Sequence, residues 1–436
     1  MAKIKVIYDW FGPAGPMVNN HVPNIFQIAG AMHGVRIDQW RNYYVPHVAH
    51  HVFPYVDGYE FAPSFTVKED DVFVYEFLMF WEQPVDAMFD SLHGLIERAQ
   101  IGTNGLLMES IRSRNGYILL ECTAEAFVDP LTFMRMHAYF ESRGIPLNKV
   151  IYQTGCANAE AVYNAFCEQQ NIVPERRMKV IFFEWVEWEL AKKCAQEPIY
   201  PTPNDFQSVY KDFMVLNRRF RQHRGDLLLT FYKHNLLEKS FFGMPLYNPD
   251  QQNLTWKDSA NLTLLERLEL NYGDLDIIQS MLPLKFDNVE DVNEMVHDHD
   301  RKLTYWYNHS LISLVTETTF HLDQISTTEK TFKPIRYKHP FIMVGSAHAL
   351  AHLRKGGYKT FSDFWDESYD SMDNPDFRMI AIGKLCKEIS EWSESQKREF
   401  YEKSRPIVEH NYNLLRERWP NNMPNRFWHN LRDSHA

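Results

Sequence analysis

Cysteine is scarce in this sequence. The five residues, Cys122, Cys156, Cys167, Cys194 and Cys386, are scattered and odd in number. None stands in Cys-x-x-Cys spacing, so neither a disulfide framework nor a structural zinc is expected, and a reducing, cytoplasmic home is. No apolar run reaches the roughly 18 residues that a membrane span needs. The opening MAKIKVIYDW goes straight into a strand pattern and lacks the form of a signal peptide. Cations are outnumbered, with 46 Lys and Arg against 57 Asp and Glu, a formal charge of −11. That argues against a basic coat for nucleic acid, although it leaves room for a local basic groove. GxGxxG, HExxH, internal repeats and low-complexity stretches are all missing.

What is there fits a globular protein. Hydrophobic residues make up 44% and charged residues 24% of 436 positions, too many for one ordinary core. Aromatics reach 14%, which suits either large cores or the stacking of sugars or bases. Lys3 to Trp10 reads as a strand that stops at the Gly/Pro loop FGPAGP, and a helix is expected over 24–32. Further strands are expected at 71–78, 117–121, 149–153 and 179–183, with helices at 84–101, 130–142 and 158–169 between them. Strand and helix alternating over nearly 200 residues predict a parallel α/β sheet.

The string EPIYPTPNDF, Glu197 to Phe206, has three prolines and no periodicity, and reads as a linker. A second start follows it: a strand at 213–216, a helix from about Arg219 to His234 and a strand at 239–242. The expected division is an N-terminal domain over 1–200, a C-terminal domain over 207–385, and helices over 386–436 that cross back to the first domain. From Phe377 to Asn411 the pattern is one long amphipathic helix or a pair.

The richest stretch is VTETTFHLDQISTTEKTFKPIRYKHPF, Val315 to Phe341. A strand, Leu311 to Val315, leads to Glu317. Ser326, Thr327 and Thr328 are candidate caps for a helix beginning with Glu329 and Lys330, and a strand follows over 340–345. Ligands of parallel sheets sit where strand ends meet helix N-termini. A helix N-terminus with Lys330 and Lys333 beside it favours phosphate, while Glu317 and Glu329 can accept hydrogen bonds from vicinal hydroxyls. Carboxylates for sugar hydroxyls beside cations for a diphosphate describe a nucleotide-sugar pocket. Pro334 should kink this helix or end it early.

A second cationic corner is NRRFRQHR, Asn217 to Arg224, directly after a strand. Arg218, Arg219, Arg221 and Arg224 at a helix start oppose its dipole unless an anion sits there, and arginine holds phosphate with a planar fork. A proton acceptor is sought at strand ends of the N-terminal half. Glu121 and Asp9 are the leading candidates, with Glu76 and His21 open as well. The spacing in Pro46-His47-Val48-Ala49-His50-His51 could hold a metal but lacks a third ligand, so a loop is the better reading. Trp185-Val186-Glu187-Trp188-Glu189 is either packing or an aromatic sugar platform.

Val315 to Gly345 resembles the donor-site segment of GT-B glycosyltransferases, above all the fucosyltransferase-like ones. Glu317 matches their strand-end acid, Thr328-Glu329-Lys330 their TEK helix start and Pro340 to Gly345 the strand that follows. The fuller string TEKTFKPI…PFIMVG…GYKTF…WDESYD is similar to uncharacterised, often virus-encoded, glycosyltransferases. Thr318 stands where the family has Asn, and Pro334 also departs from it. The resemblance implies an α/β fold of two Rossmann-like domains (GT-B-like) facing across a cleft. It implies a nucleotide-sugar as donor substrate, no other cofactor, and an arginine on the donor diphosphate, matched by Arg218 or Arg219. The donor-binding set is then Arg218, Arg219, Arg224, Glu317, Thr328, Glu329, Lys330 and Lys333, with Glu121 and Asp9 as catalytic candidates. Asp298-His299-Asp300 is similar to the DxD metal motif of the other major glycosyltransferase fold, but in this pattern it reads as solvent-facing, and no metal is expected. The acceptor is a glycan or small molecule, or a hydroxymethylated base in DNA. No membrane partner is expected, and the location is cytoplasmic, in a host if the chain is viral. A non-catalytic nucleotide- or glycan-binding protein of the same fold is the other class.

Overall fold

The computed structural model describes residues 4–8, 59–63, 67–78, 105–122, 128–196, 206–217, 219–246, 256–257, 260–285 and 300–419. Its described residues fall into two units, one running to Trp185 and one from Val186 to Trp419. Among them no helix is long and apolar enough to cross a membrane.

The first unit holds six parallel strands, β1 (Ile4–Tyr8), β2 (Tyr59–Pro63), β3 (Phe73–Leu78), β4 (Gly116–Cys122), β5 (Val150–Thr154) and β6 (Lys179–Phe182), in the order β2-β1-β3-β4-β5-β6. Helices α1 (Leu106–Ser113), α2 (Pro130–Ser142) and α3 (Ala159–Gln169) connect them. The start of α2 is written in its sequence. Asp129 caps Thr132 N, and Pro130 fills the first turn, where a missing N–H costs nothing. Side chains alternate along each strand. Ile118, Leu120, Cys122 and Tyr152 therefore meet Leu107, Ile111, Phe133, Met136 and Tyr163 in one core. Leu119, Glu121, Ile151 and Gln153 point to the other face and are also buried.

The second unit opens with helix α4 (Trp185–Gln196), followed by β7 (Lys211–Val215), α5 (Gln222–Lys233) and β8 (Ser240–Phe242). Then come α6 (Leu262–Arg267), α7 (Tyr272–Met281), α8 (Asp300–Asn308), β9 (Ser310–Thr316), α9 (Glu329–Arg336), β10 (Phe341–Val344), α10 (Ala349–Lys355), α11 (Pro375–Ser390) and α12 (Glu394–Glu417). The sheet is parallel, in the order β10-β9-β7-β8. The chain leaves β7 to one side for β8 and returns on the other side for β9. The gap between β7 and β9 is therefore the switch point, where strand connections diverge and a ligand crevice opens.

Both faces of this sheet are covered. Phe213, Val215, Ile312 and Leu314 enter the large core with α5 and α11, while Met214 and Phe241 meet Leu303, Tyr307 and Tyr337. Glycine lets α5 sit close to its neighbours. A Cβ on Gly383 of α11 would lie 2.0 Å from Thr230 Cγ2, and one on Gly225 would lie 2.5 Å from Trp256 Nε1. This packing fixes the start of α5 at the switch point.

Fold class agrees with the expectation from sequence: α/β, with parallel sheets. The place of α4 does not follow the expected division at residue 200. Its Leu190, Ala191 and Cys194 join the core of the second unit. Glu187 accepts hydrogen bonds from Tyr358 Oη and, at 3.1 Å, from Arg418 Nε. Both α11 and α12 also lie in the second unit. The linker residues 197–205 and the tail from 420 lie outside the described residues. Helix α9 runs through Pro334 and ends at Arg336, within a turn of it.

Candidate functional site

The C-terminal ends of β7 and β9 each lead into a helix, and the two helix starts meet at the switch point. After β7 comes Asn217, which is 2% exposed and accepts from Thr316 Oγ1 at 2.7 Å. Two bonds tie the start of α5 to the end of β9. Arg224 Nη2 donates to Thr316 O at 3.3 Å, and His223 Nε2 lies 2.8 Å from Glu317 O. A carbonyl only accepts, so His223 carries its proton on Nε2. Burial, with Arg224 next, pushes the His223 pKa well below the ordinary range, so the ring is neutral. It stacks on Phe320, centroids 5.4 Å apart.

Glu317 is fully enclosed, at 0% exposure. Its Oε1 accepts from Thr328 N at 2.9 Å and from Thr331 Oγ1. Its Oε2 accepts from Thr328 Oγ1 at 2.6 Å and from Thr318 N at 3.2 Å. A carboxylate offers about four acceptor directions, and protein donors fill all four. The expected use of Glu317 as a partner for sugar hydroxyls is therefore revised, because nothing is left for a ligand to donate to. Its carboxylate instead fastens the start of α9 to the end of β9. Thr328 completes the seal by capping Lys330 N at 3.4 Å.

Beside this sealed start lie Glu329 and Lys330, with side chains 29% and 25% exposed and paired at 2.8 Å. Lys330 Nζ also donates to Thr328 Oγ1 at 3.1 Å and Thr318 Oγ1 at 3.3 Å. Burial pushes the Glu329 carboxyl up, but the Lys330 and Lys333 ammoniums outweigh that and hold it at about 2. Glu329 is thus ionised at neutral pH and can only accept hydrogen bonds. Lys333 is buried.

The start of α5 differs. Arg221 stands at its cap position with no side-chain cap bond, and the first turn has no acid. Arg219 is half-buried two residues earlier. Arg224 is 3% exposed, and its Nη1 donates to Arg219 O at 2.8 Å. Its Nη1 and Nη2 bonds go to carbonyls rather than to a carboxylate, and its Nε has no partner. Asn217 Nδ2, close by, has none either. Burial first, then Arg221, pulls the Arg224 pKa down to about 10, with Glu329 and Glu317 pulling the other way. An uncapped helix start ringed by guanidiniums and holding two unsatisfied buried donors suits an anion.

The structure thus brings together Arg219, Arg224, Glu317, Thr328, Glu329, Lys330 and Lys333 in one corner. Arg218 and Asp9 lie outside the described residues, as do His21, the His47–His51 cluster and Asp298-His299. Glu121 sits in the other unit, on β4, 1% exposed. Glu187 and Trp188 of the aromatic-acidic string are packed inside the second unit, Trp188 4.8 Å from Trp419. Two corner residues escaped selection from sequence, Asn217 and His223, although both lie inside the arginine-rich string. The Asn directly after an apolar strand was the available signal for the first.

No protein-family model and no curated protein sequence matches the chain. Among solved structures, the fold is similar to that of a UDP-forming α,α-trehalose-phosphate synthase from Burkholderia xenovorans, with TM-score 0.45 and 9% identity over 100% of both chains. It is similar to the α,α-trehalose-phosphate synthase (UDP-forming) from Burkholderia vietnamiensis, with TM-score 0.43 and 11% identity over 85% of this chain and 76% of that one. A glycosyltransferase from Rickettsia africae overlaps with TM-score 0.39 and 12% identity over 95% and 96%. The fold assignment rests on the two parallel sheets and their strand orders, not on these likenesses.

Proposed function

We propose that the chain is a glycosyltransferase that takes a sugar from a nucleotide-sugar at the switch-point corner and passes it to an acceptor hydroxyl. The observation that carries this reading is the start of α5, uncapped, without an acid in its first turn, and set among Arg219, Arg221 and Arg224. A diphosphate supplies the negative charge that this arrangement calls for. Glu329, ionised beside it, takes neutral hydroxyls of the ribose or of the transferred sugar.

The chemistry is a displacement. The acceptor oxygen bonds to the anomeric carbon as the bond from that carbon to the diphosphate oxygen breaks. Charge grows on the diphosphate, and preorganised guanidiniums stabilise it most at that moment. That step calls on no metal in this reading. The acceptor proton goes to a carboxylate, for which Glu121 and Asp9 are the candidates.

Thermal unfolding of the full chain with UDP, GDP and their common sugar conjugates tests this reading, since a ligand bound only by the folded form raises the melting temperature. The expected result is a rise with one nucleoside diphosphate and with its nucleotide-sugars, followed by release of the diphosphate on incubation. No rise with any of them would sink the reading. A rise without release, whatever acceptor is added, would favour a nucleotide-binding protein without transferase activity.

A further inference from the structure

The arginine corner accounts for the donor end alone. On the first sheet, Glu121 of β4 and Gln153 of β5 are register partners on adjacent parallel strands. Register partners point to the same sheet face, and here it is the face away from the α1–α3 core. Both lie one residue short of the C-terminal end of their strands. Ligands of parallel sheets are met at that end.

Gln153 is 0% exposed, and neither its Oε1 nor its Nε2 has a hydrogen-bond partner. A buried amide is normally satisfied, and two unmet atoms on one side chain call for an explanation. An amide donates through nitrogen and accepts through oxygen, so it can bond two neighbouring hydroxyls at once. A carboxylate alongside accepts the proton of one of them. Charge decides between ligands. Among the described residues that follow these strands, Val128–Asp129, Gly155–Asn158 and Phe183–Glu184, there is no Lys or Arg. Glu184 adds a second buried acid at the same edge. The described part of this edge therefore repels phosphate and carries no cation to neutralise a nucleic-acid backbone.

We infer that Gln153 and Glu121 form a binding site for the vicinal hydroxyls of a neutral saccharide. As an acceptor subsite it rests on the transferase reading above, and it favours a sugar over modified DNA as the acceptor. Gln153 holds two hydroxyls, and Glu121 accepts the proton of the one that reacts.

Full-length protein and the near-isosteric Gln153→Met variant are compared by thermal unfolding with glucose, galactose, mannose, N-acetylglucosamine and arabinose. A hydroxymethylcytosine-containing duplex and UDP or GDP are run alongside. The expected result is stabilisation of the parent by at least one saccharide and not by the duplex. In Gln153→Met that saccharide binds at least about tenfold more weakly, the scale of a lost hydrogen-bond pair, while the ligand-free melting temperature holds or rises. A saccharide response that survives in the variant overturns the inference, as does its absence in the parent. A fall in the variant's ligand-free melting temperature also overturns it, because the amide would then be satisfied internally. A Gln153→Met chain that does not fold is the extreme of that fall and overturns it too, and Glu121→Gln, run alongside, should lose the same saccharide response. Nucleotide binding without saccharide binding leaves the donor reading standing and removes this site. Saccharide binding without nucleotide binding does the reverse.

Discussion

The two helices that start at the switch point do so in opposite ways. At α9, Thr328 and the buried Glu317 carboxylate absorb the polar groups of the entry, and Lys330 folds back onto Glu329, Thr318 and Thr328. At α5 there is no cap, no first-turn acid, and two buried donors without partners. The motif that stands out in the sequence is therefore mostly an internal fastening. The arginine turn, which resembles an ordinary basic helix face, is the part that a ligand would complete. A conspicuous polar string marks a corner without saying which of its groups remain open.

Five variants test this contrast. The largest effect is expected from Glu317→Ala, which strands four donors in a closed site. It should lower unfolding free energy in urea by about 3–5 kcal/mol. A stability change below about 1 kcal/mol, with nucleotide binding abolished, would make Glu317 a ligand contact after all.

The uncapped helix has its own acid one turn in, Asp226, which is 0% exposed and has His321 Nε2 3.6 Å from its Oδ2. Burial pushes its pKa up to about 7. The folded form then binds more protons than the unfolded chain between about pH 4 and 7, so stability falls as pH rises through that window. Asp226→Asn stays neutral. It should exceed the parent by roughly 2–4 kcal/mol at pH 8, with the gap closing near pH 4. A gap that does not vary with pH would mean that the carboxyl keeps one charge state throughout.

Third comes binding. Arg219→Ala should weaken affinity for UDP or GDP by about 1.5–3 kcal/mol in calorimetry. Lys330→Ala should cost less than Arg219→Ala, because its ammonium already has three partners inside the protein. The reverse order would move the diphosphate to α9.

The smallest effect on stability belongs to Glu329→Gln. Its depressed pKa contributes above the unfolded value and is lost as pH falls toward 2, but a partly exposed pair is screened, so less than about 1 kcal/mol is expected. Its binding signature is sharper. Equal losses for nucleoside diphosphates and nucleotide-sugars point to the ribose, and a loss for nucleotide-sugars alone points to the transferred sugar.

Legibility from sequence followed the range of the forces involved. Helix α2 was expected over 130–142 and is found there, because its cap, proline and apolar spacing are all local. The strands of both sheets, β2 apart, were readable as apolar runs, whereas YEFAP of β2 is short and carries an acid and a proline. The role of Glu317 was not, since its donors Thr328 and Thr331 come into place only when α9 folds back beside β9. The allegiance of α4 was hidden for a related reason. An apolar stripe such as Leu190, Ala191 and Cys194 records that a helix is buried but not which core buries it, and the prolines after it suggested a break in the wrong place. The role of Asn217 is not legible in the sequence, because an orphaned amide is a property of surroundings, not of spacing.

The position of α4 bears on how the molecule could be taken apart. A fragment stopped at residue 200 would carry away a helix whose Leu190, Ala191 and Cys194 belong to the core of the other half. The remaining piece would in turn lose the Glu187 anchor of Tyr358 and Arg418 and open a gap along its core. Each fragment would bare an apolar stripe, the usual source of aggregation when domains are expressed alone. A cut between Trp185 and Val186 would instead leave Leu190, Ala191 and Cys194 with the core they join.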